Sequence, residues 1–123
     1  MSTHHELFVE RADGVSDEQL VADVEAACGV PLLPSGNEFD DWYAGFEHTK
    51  VRLAFSHDFE EDKGIPFERY DSYLDVKDLD GDLVRQEATA RRCYDALAAT
   101  GRYRLALVLD LQRLILATDL PRG

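Results

Sequence analysis

The run Asp78-Leu79-Asp80-Gly81-Asp82 carries the side chains that a calcium loop uses. Such a loop needs oxygens at alternate positions, a glycine for the sharp turn and a bidentate glutamate at its twelfth position. Taking Gly81 as the turn glycine puts Asp78 and Asp80 at the third and fifth positions and Glu87 at the twelfth, but the first falls on Val76, whose side chain cannot ligate. The residues before it read as a strand, so the run is expected to be a turn followed by an Asp-capped helix. A second candidate is Glu61-Asp62-Lys63, with Asp40 or Asp41 upstream. Glu-x-Lys occurs in metal-dependent nucleases, where the carboxylates hold Mg²⁺ and the lysine orients water. That chemistry needs the triplet fixed on a strand, and here it precedes Gly64 in a loop.

The histidines offer little more. His48 and His57 are expected at the ends of two paired strands, too far apart to share a metal, while His4 and His5 are adjacent and point to opposite sides of a strand. Surface or edge positions are expected for all four. Cys28 and Cys93 each fall within a helix, away from a histidine, and read as small buried hydrophobes of a reducing compartment. A disulfide joining the two helices stays open. There is no G-x-S-x-G elbow and no glycine-rich phosphate loop. The sequence therefore gives no catalytic residue, no metal ligand and no cofactor.

Charge is more informative. The net charge is −12, which disfavours nucleic acid, since phosphate binding needs Lys and Arg to release counterions, and disfavours anionic membranes. The first 82 residues hold 21 acidic and 6 basic side chains, a net of −15, whereas residues 83–123 carry a net of +3. Ten carboxylates crowd Asp58 to Asp82. Several are interleaved with aromatics, in Phe39-Asp40-Asp41-Trp42-Tyr43, Phe59-Glu60-Glu61-Asp62 and Phe67-Glu68-Arg69-Tyr70-Asp71-Ser72-Tyr73. Aromatic anchors in an acidic rim are what a surface for a basic protein requires, because the charges steer encounter and the rings supply hot spots. The expected partner-binding residues are Asp40, Asp41, Trp42, Tyr43, Asp58, Glu60, Glu61, Asp62, Glu68 and Tyr73.

The elements that would position them follow from periodicity. His5 to Glu10 alternates, with Leu7 and Val9 on one face, and reads as a strand. Ser16 begins a helix with a capping box to Gln19 and a Val15–Leu20 staple; Leu20, Val24, Ala27 and Cys28 form its apolar face, and Gly29 and Pro31 end it. Pro31 to Asn37 reads as a loop. Trp42 to His48 and Val51 to His57 form a hairpin about Thr49-Lys50, placing Phe46 opposite Leu53 and Ala44 opposite Phe55. Tyr70 to Lys77 is a strand with Leu74 and Val76 inward. Leu83 to Thr100 is a helix with a buried stripe of Leu83, Ala90, Tyr94 and Leu97. Tyr103 to Leu109 is a strand, and Arg113 to Thr118 a return strand, with a helix from Leu107 as the alternative. The 123 residues are thus expected to form one α+β domain, β-α-β-β-β-α-β-β, with an antiparallel or mixed sheet and both helices on one face.

From Glu6-Leu7-Phe8-Val9 to Leu114-Ile115-Leu116 this plan resembles the small acidic α/β immunity proteins of bacterial polymorphic-toxin systems. Glu61-Asp62-Lys63-Gly64-Ile65-Pro66-Phe67, followed by Tyr70-Asp71-Ser72-Tyr73-Leu74-Asp75-Val76, is similar to the loop and strand before their second helix. The resemblance transfers no binding residue, but implies a non-catalytic inhibitor that plugs or shields the active site of a basic toxin, such as a nuclease. Two other readings remain: a small metal-dependent enzyme using Asp and Glu, and a homodimeric accessory domain pairing through an edge strand. The N-terminus lacks a charged segment followed by an apolar one, and no apolar run reaches the roughly 20 residues of a membrane span, so a cytoplasmic location is the expectation.

Overall fold

The computed structural model describes residues 3–36, 38 and 40–118; Asn37 and Phe39, which entered the reading above, lie outside them. Strand β1 (His5–Arg11) leads to helix α1 (Asp17–Cys28), the two-residue β2 (Leu33–Pro34), β3 (Trp42–Phe46), β4 (Thr49–Ala54), β5 (Ser72–Asp78), helix α2 (Leu83–Ala99), β6 (Tyr103–Leu109) and β7 (Arg113–Thr118). The strands form one sheet in the order β2-β3-β4-β5-β1-β6-β7, every pairing antiparallel. The expected α+β domain is therefore present, with β2 added at one edge, where Pro34 has no ladder hydrogen bond to supply. The C-terminal apolar stretch is a hairpin and not a helix. No helix among the described residues is long and apolar enough to cross a membrane.

Alternation along β1 organises the core. Leu7 lies opposite Leu74 on one side and Leu107 on the other. These three, with Val9, Leu53 and Val76, meet Leu20 and Val24 of α1 and Ala90, Cys93 and Leu97 of α2. Phe8 points the other way and founds a second apolar cluster with Ala106 and Val108, covered by Ile65, Phe67 and Tyr70. The sheet is thus buried on both faces, by helices on one and by the long β4–β5 connection on the other.

Helix ends follow the sequence in part. Ser16 Oγ accepts the Gln19 N–H at 3.1 Å, and Gly29 takes the left-handed conformation at the C-terminus of α1. The Gln19 side chain, however, donates to Asp23 at 3.0 Å instead of closing the capping box. Asp82 caps α2 through the Arg85 N–H at 3.0 Å, as the Asp78–Asp82 turn predicts.

Four expectations are corrected. The β3–β4 turn is Glu47-His48, so Phe46 lies opposite Thr49, Ala44 opposite Val51 and Trp42 opposite Leu53. The reason is β5: only with Thr49 opposite Asp78 do Val51 and Leu53 meet Val76 and Leu74. In α2, Leu83 is 44% exposed and Gln86 takes the buried place expected of it. Gln86 Oε1 accepts the Asp78 N–H at 2.8 Å, and its Nε2 reaches the Thr3 carbonyl at 3.0 Å and His5 Nδ1 at 2.8 Å. His5 is accordingly a core residue, not an edge one. Finally, β5 starts at Ser72, because Tyr70 ends a short 3-10 turn at Phe67–Arg69.

Candidate functional site

The face away from the helices carries most of the chemistry. Its floor is Phe8, whose ring lies 4.7 Å from Phe67, 5.3 Å from His57, 5.6 Å from Tyr73 and 6.0 Å from Phe59 between centroids. These rings pin residues 55–71 onto the sheet. His57 Nε2 lies 2.6 Å from the Tyr70 carbonyl, and its Nδ1 accepts the Phe59 N–H at 3.1 Å, so Nε2 is the nitrogen that carries the proton. Beyond Phe59 the chain reverses through Lys63 and Gly64, both at positive φ, in a tight turn closed by Asp62 and Ile65. Glu61-Asp62-Lys63 therefore lies on an exposed turn.

With Ile65, Phe67 and Tyr70 buried, the carboxylates of this loop face water. Asp58, Glu60, Glu61, Asp62 and Glu68 are all exposed, and among the described residues no ion pair or side-chain hydrogen bond engages them. Several acids elsewhere are committed within the fold, although Asp13, Glu18, Glu47 and Asp95 are also exposed. Arg11 holds Asp71 at 2.7 Å and Asp17 at 2.5 Å; Arg85 holds Asp78 at 2.6 Å; Arg104 holds Glu10 at 3.2 Å. Arg102 and the Tyr103 hydroxyl donate to Asp23 at 2.8 and 2.5 Å. Burial pushes the Asp23 carboxyl up, but the donors from Arg102, Tyr103 and Gln19 prevail and hold it below the usual carboxylate range. Arg85 does the same for Asp78.

Beside the loop is a cleft of about 190 Å³ lined by His4, Glu6, Asp40, Arg52, Phe59, Tyr73, Asp75 and Leu111. Phe59 and Tyr73 also line a neighbouring hollow of about 470 Å³ with Glu38, Ser56, His57 and Asp58. Glu6 is 6% exposed. Burial raises its carboxyl to about 8, nearby Asp75 and Asp110 add to this, and the Leu111 N–H, donating at 2.8 Å, opposes it. Leu111 and Asp110 both sit at positive φ, unusual for residues with side chains, and their N–H groups are held by Glu6 and the His4 carbonyl. Burial also raises Asp75, against His4 Nδ1 at 2.9 Å from both its oxygens. Ser35 Oγ donates to Asp40 at 2.5 Å, and Arg52 approaches Asp40 at 3.6 Å.

The ten expected binding residues divide. Asp58, Glu60, Glu61, Asp62 and Glu68 line up along the loop; Tyr73 lies under it; Asp40 lines the cleft, and Tyr43 lines an adjoining hollow with Asp40 and Lys50, whose Nζ lies 5.5 Å from the Tyr43 ring centroid. Asp41 is exposed, and its carboxylate clamps the Phe55 N–H at 2.8 Å. Trp42 is misplaced in that set: it packs on the helix-side core and lines a groove with Val21, Glu25 and Phe55. The segment 40–43 is thus not one patch, because successive strand residues face opposite ways. Glu6, His4, Arg52 and Asp75 were missed; the signal was Phe8, an apolar residue on the supposedly exposed side of β1.

His48 and His57 lie at opposite ends of β4, and His48 pairs with Asp80 at 3.1 Å. Among the described residues no three His, Cys, Asp or Glu side chains converge as a metal site would need. Chemically, the face offers uncommitted negative charge over an aromatic floor and a carboxyl poised to ionise near neutral pH. The chain matches no family model, no curated protein and no solved structure in comparison with each.

Proposed function

We propose that this domain binds a basic protein through the loop 55–71 and the cleft beside it, as an immunity-type inhibitor that neutralises a toxin domain. One observation carries the reading: five exposed carboxylates without internal partners stand on a loop pinned by buried aromatics. A rigid, uncommitted charge array loses little entropy on binding and raises the association rate of a cationic surface. A nuclease is the toxin class whose phosphate-binding cleft such a surface complements. An ammonium or guanidinium group of the partner enters the cleft beside Glu6 and Asp75. A cytoplasmic site of action goes with this reading.

The test is retention of a host protein, above all the product of the neighbouring gene, on the immobilised domain at low salt. The Glu60→Lys/Glu61→Lys variant is expected to lose it; retention by the variant as strong as by the wild type would reject the reading. The titration of Glu6 near neutral pH favours a second reading, a small enzyme using Asp and Glu with a metal ion. Calorimetry with Ca²⁺, Mg²⁺ and Mn²⁺ separates the two: heat and a thermal shift support the enzyme, and neither disposes of it.

A further inference from the structure

On the helix side, remote from the acidic face, Cys28 ends α1 and Cys93 sits in the middle of α2. The two helices pack on each other. Cys93 is 2% exposed within the core, and Cys28 is half-buried against the same cluster. Their thiols lie near enough for each to shift the other's ionisation. Two neighbouring thiols across a packed helix pair, separated by roughly 65 residues of chain, form a ready crosslink. We propose that Cys28 and Cys93 are a modification site, forming a reversible inter-helix disulfide by exchange with a small disulfide of the glutathione class.

The order of steps follows from exposure. Cys28 is the sulfur that a small disulfide reaches. It loses its proton to solvent, and its thiolate attacks one sulfur of glutathione disulfide; that S–S bond breaks and one glutathione leaves as thiolate. Cys93, directly behind, loses its proton and attacks Cys28 Sγ in the mixed disulfide, expelling the second glutathione thiolate. Two protein thiols are oxidised, one glutathione disulfide is reduced to two glutathiones, and the two protons pass to those products. The neighbouring Cys28 thiol pulls Cys93 below its ordinary value and is itself pushed up, while burial opposes ionisation of both and Arg92 favours the thiolates. The charge left by the first proton is shared by the pair, so accessibility decides which sulfur reacts first.

The inference stands apart from the binding reading. The native full chain, treated with glutathione disulfide, is expected to lose two hydrogens in mass, lose both titratable thiols and remain monomeric on a non-reducing gel. Its melting temperature should rise by roughly 10 °C, because the crosslink constrains a long loop of the unfolded chain, and dithiothreitol should reverse both changes. Cys93→Ser should trap one glutathione on Cys28 with no comparable rise, and Cys28→Ser should leave Cys93 unmodified in the folded state. Two adducts on the wild type, no reaction, an intermolecular crosslink, or an internal disulfide that leaves the melting temperature unchanged or lower would each overturn the proposal.

Discussion

Replacing Glu6 with glutamine should make the protein more stable in mild alkali and leave it unchanged in mild acid. Burial raises the Glu6 carboxyl from 4.5 to about 8. The folded state therefore holds this proton more tightly than the unfolded chain, and unfolding free energy falls as pH rises between these values. Above about 8 the charge is present in both states and the loss is complete. At about 1.4 kcal/mol per pH unit, the penalty for the ionised side chain has an upper bound of about 5 kcal/mol. The cleft opens to solvent, and the Leu111 N–H stabilises the carboxylate, so about 2–3 kcal/mol is the expectation at pH 9. In Glu6→Gln the amide oxygen still accepts the Leu111 N–H, and no charge forms. Urea unfolding of both proteins from pH 5 to 9 at fixed salt measures the effect. The curves should coincide at pH 5 and diverge by that amount at pH 9, Asp75 contributing a decline to both. Parallel curves, or a less stable variant at pH 9, would refute the assignment of Glu6 as a carboxyl kept neutral by its burial.

Three further outcomes follow from the same geometry. Leu74→Ala, at the centre of the sheet and fully buried, should cost about 3–4 kcal/mol in denaturant unfolding, as deletions of buried leucine side chains do. Ser16→Ala should cost about 1 kcal/mol by removing the Gln19 cap, a fall of roughly 4 °C in melting temperature for a chain of this length. Binding of the partner at pH 7 should release close to one proton, because a cation in the cleft ionises Glu6. Calorimetry in buffers of different ionisation enthalpy reads this directly, and Glu6→Gln should abolish it.

Much of the fold was legible because it rests on local pattern. The alternation of Leu7 and Val9, the Ser16 and Asp82 caps and the Leu74–Val76 strand need no knowledge of distant residues. What was not legible depends on partners far along the chain. Two registers of the β3–β4 hairpin put the same side chains on the same faces, so the hairpin cannot choose between them; β5 chooses, through Thr49 and Asp78. A glutamine reads as a surface residue of α2, but Gln86 is drawn inside by groups 8, 81 and 83 positions away. The site shows the same division. The loop carboxylates were visible as composition. The cleft was not, since Glu6 shares it with Phe59 and Leu111, which the sequence does not connect with it. Trp42 and Tyr43 face opposite sides of the sheet, as neighbours on a strand must.

The central claim is that location, and not total acidity, makes the binding surface. It is tested most directly by comparing two double reversals of equal charge with the purified partner at low salt. One, Glu60→Lys/Glu61→Lys, lies on the loop; the other, Glu18→Lys/Asp95→Lys, lies on exposed positions of α1 and α2. The account predicts that the loop variant loses at least about tenfold in affinity, the scale of one lost hot-spot interaction, while the helix variant stays within a few-fold of wild type. Equal losses in both variants, or none in either, would contradict it.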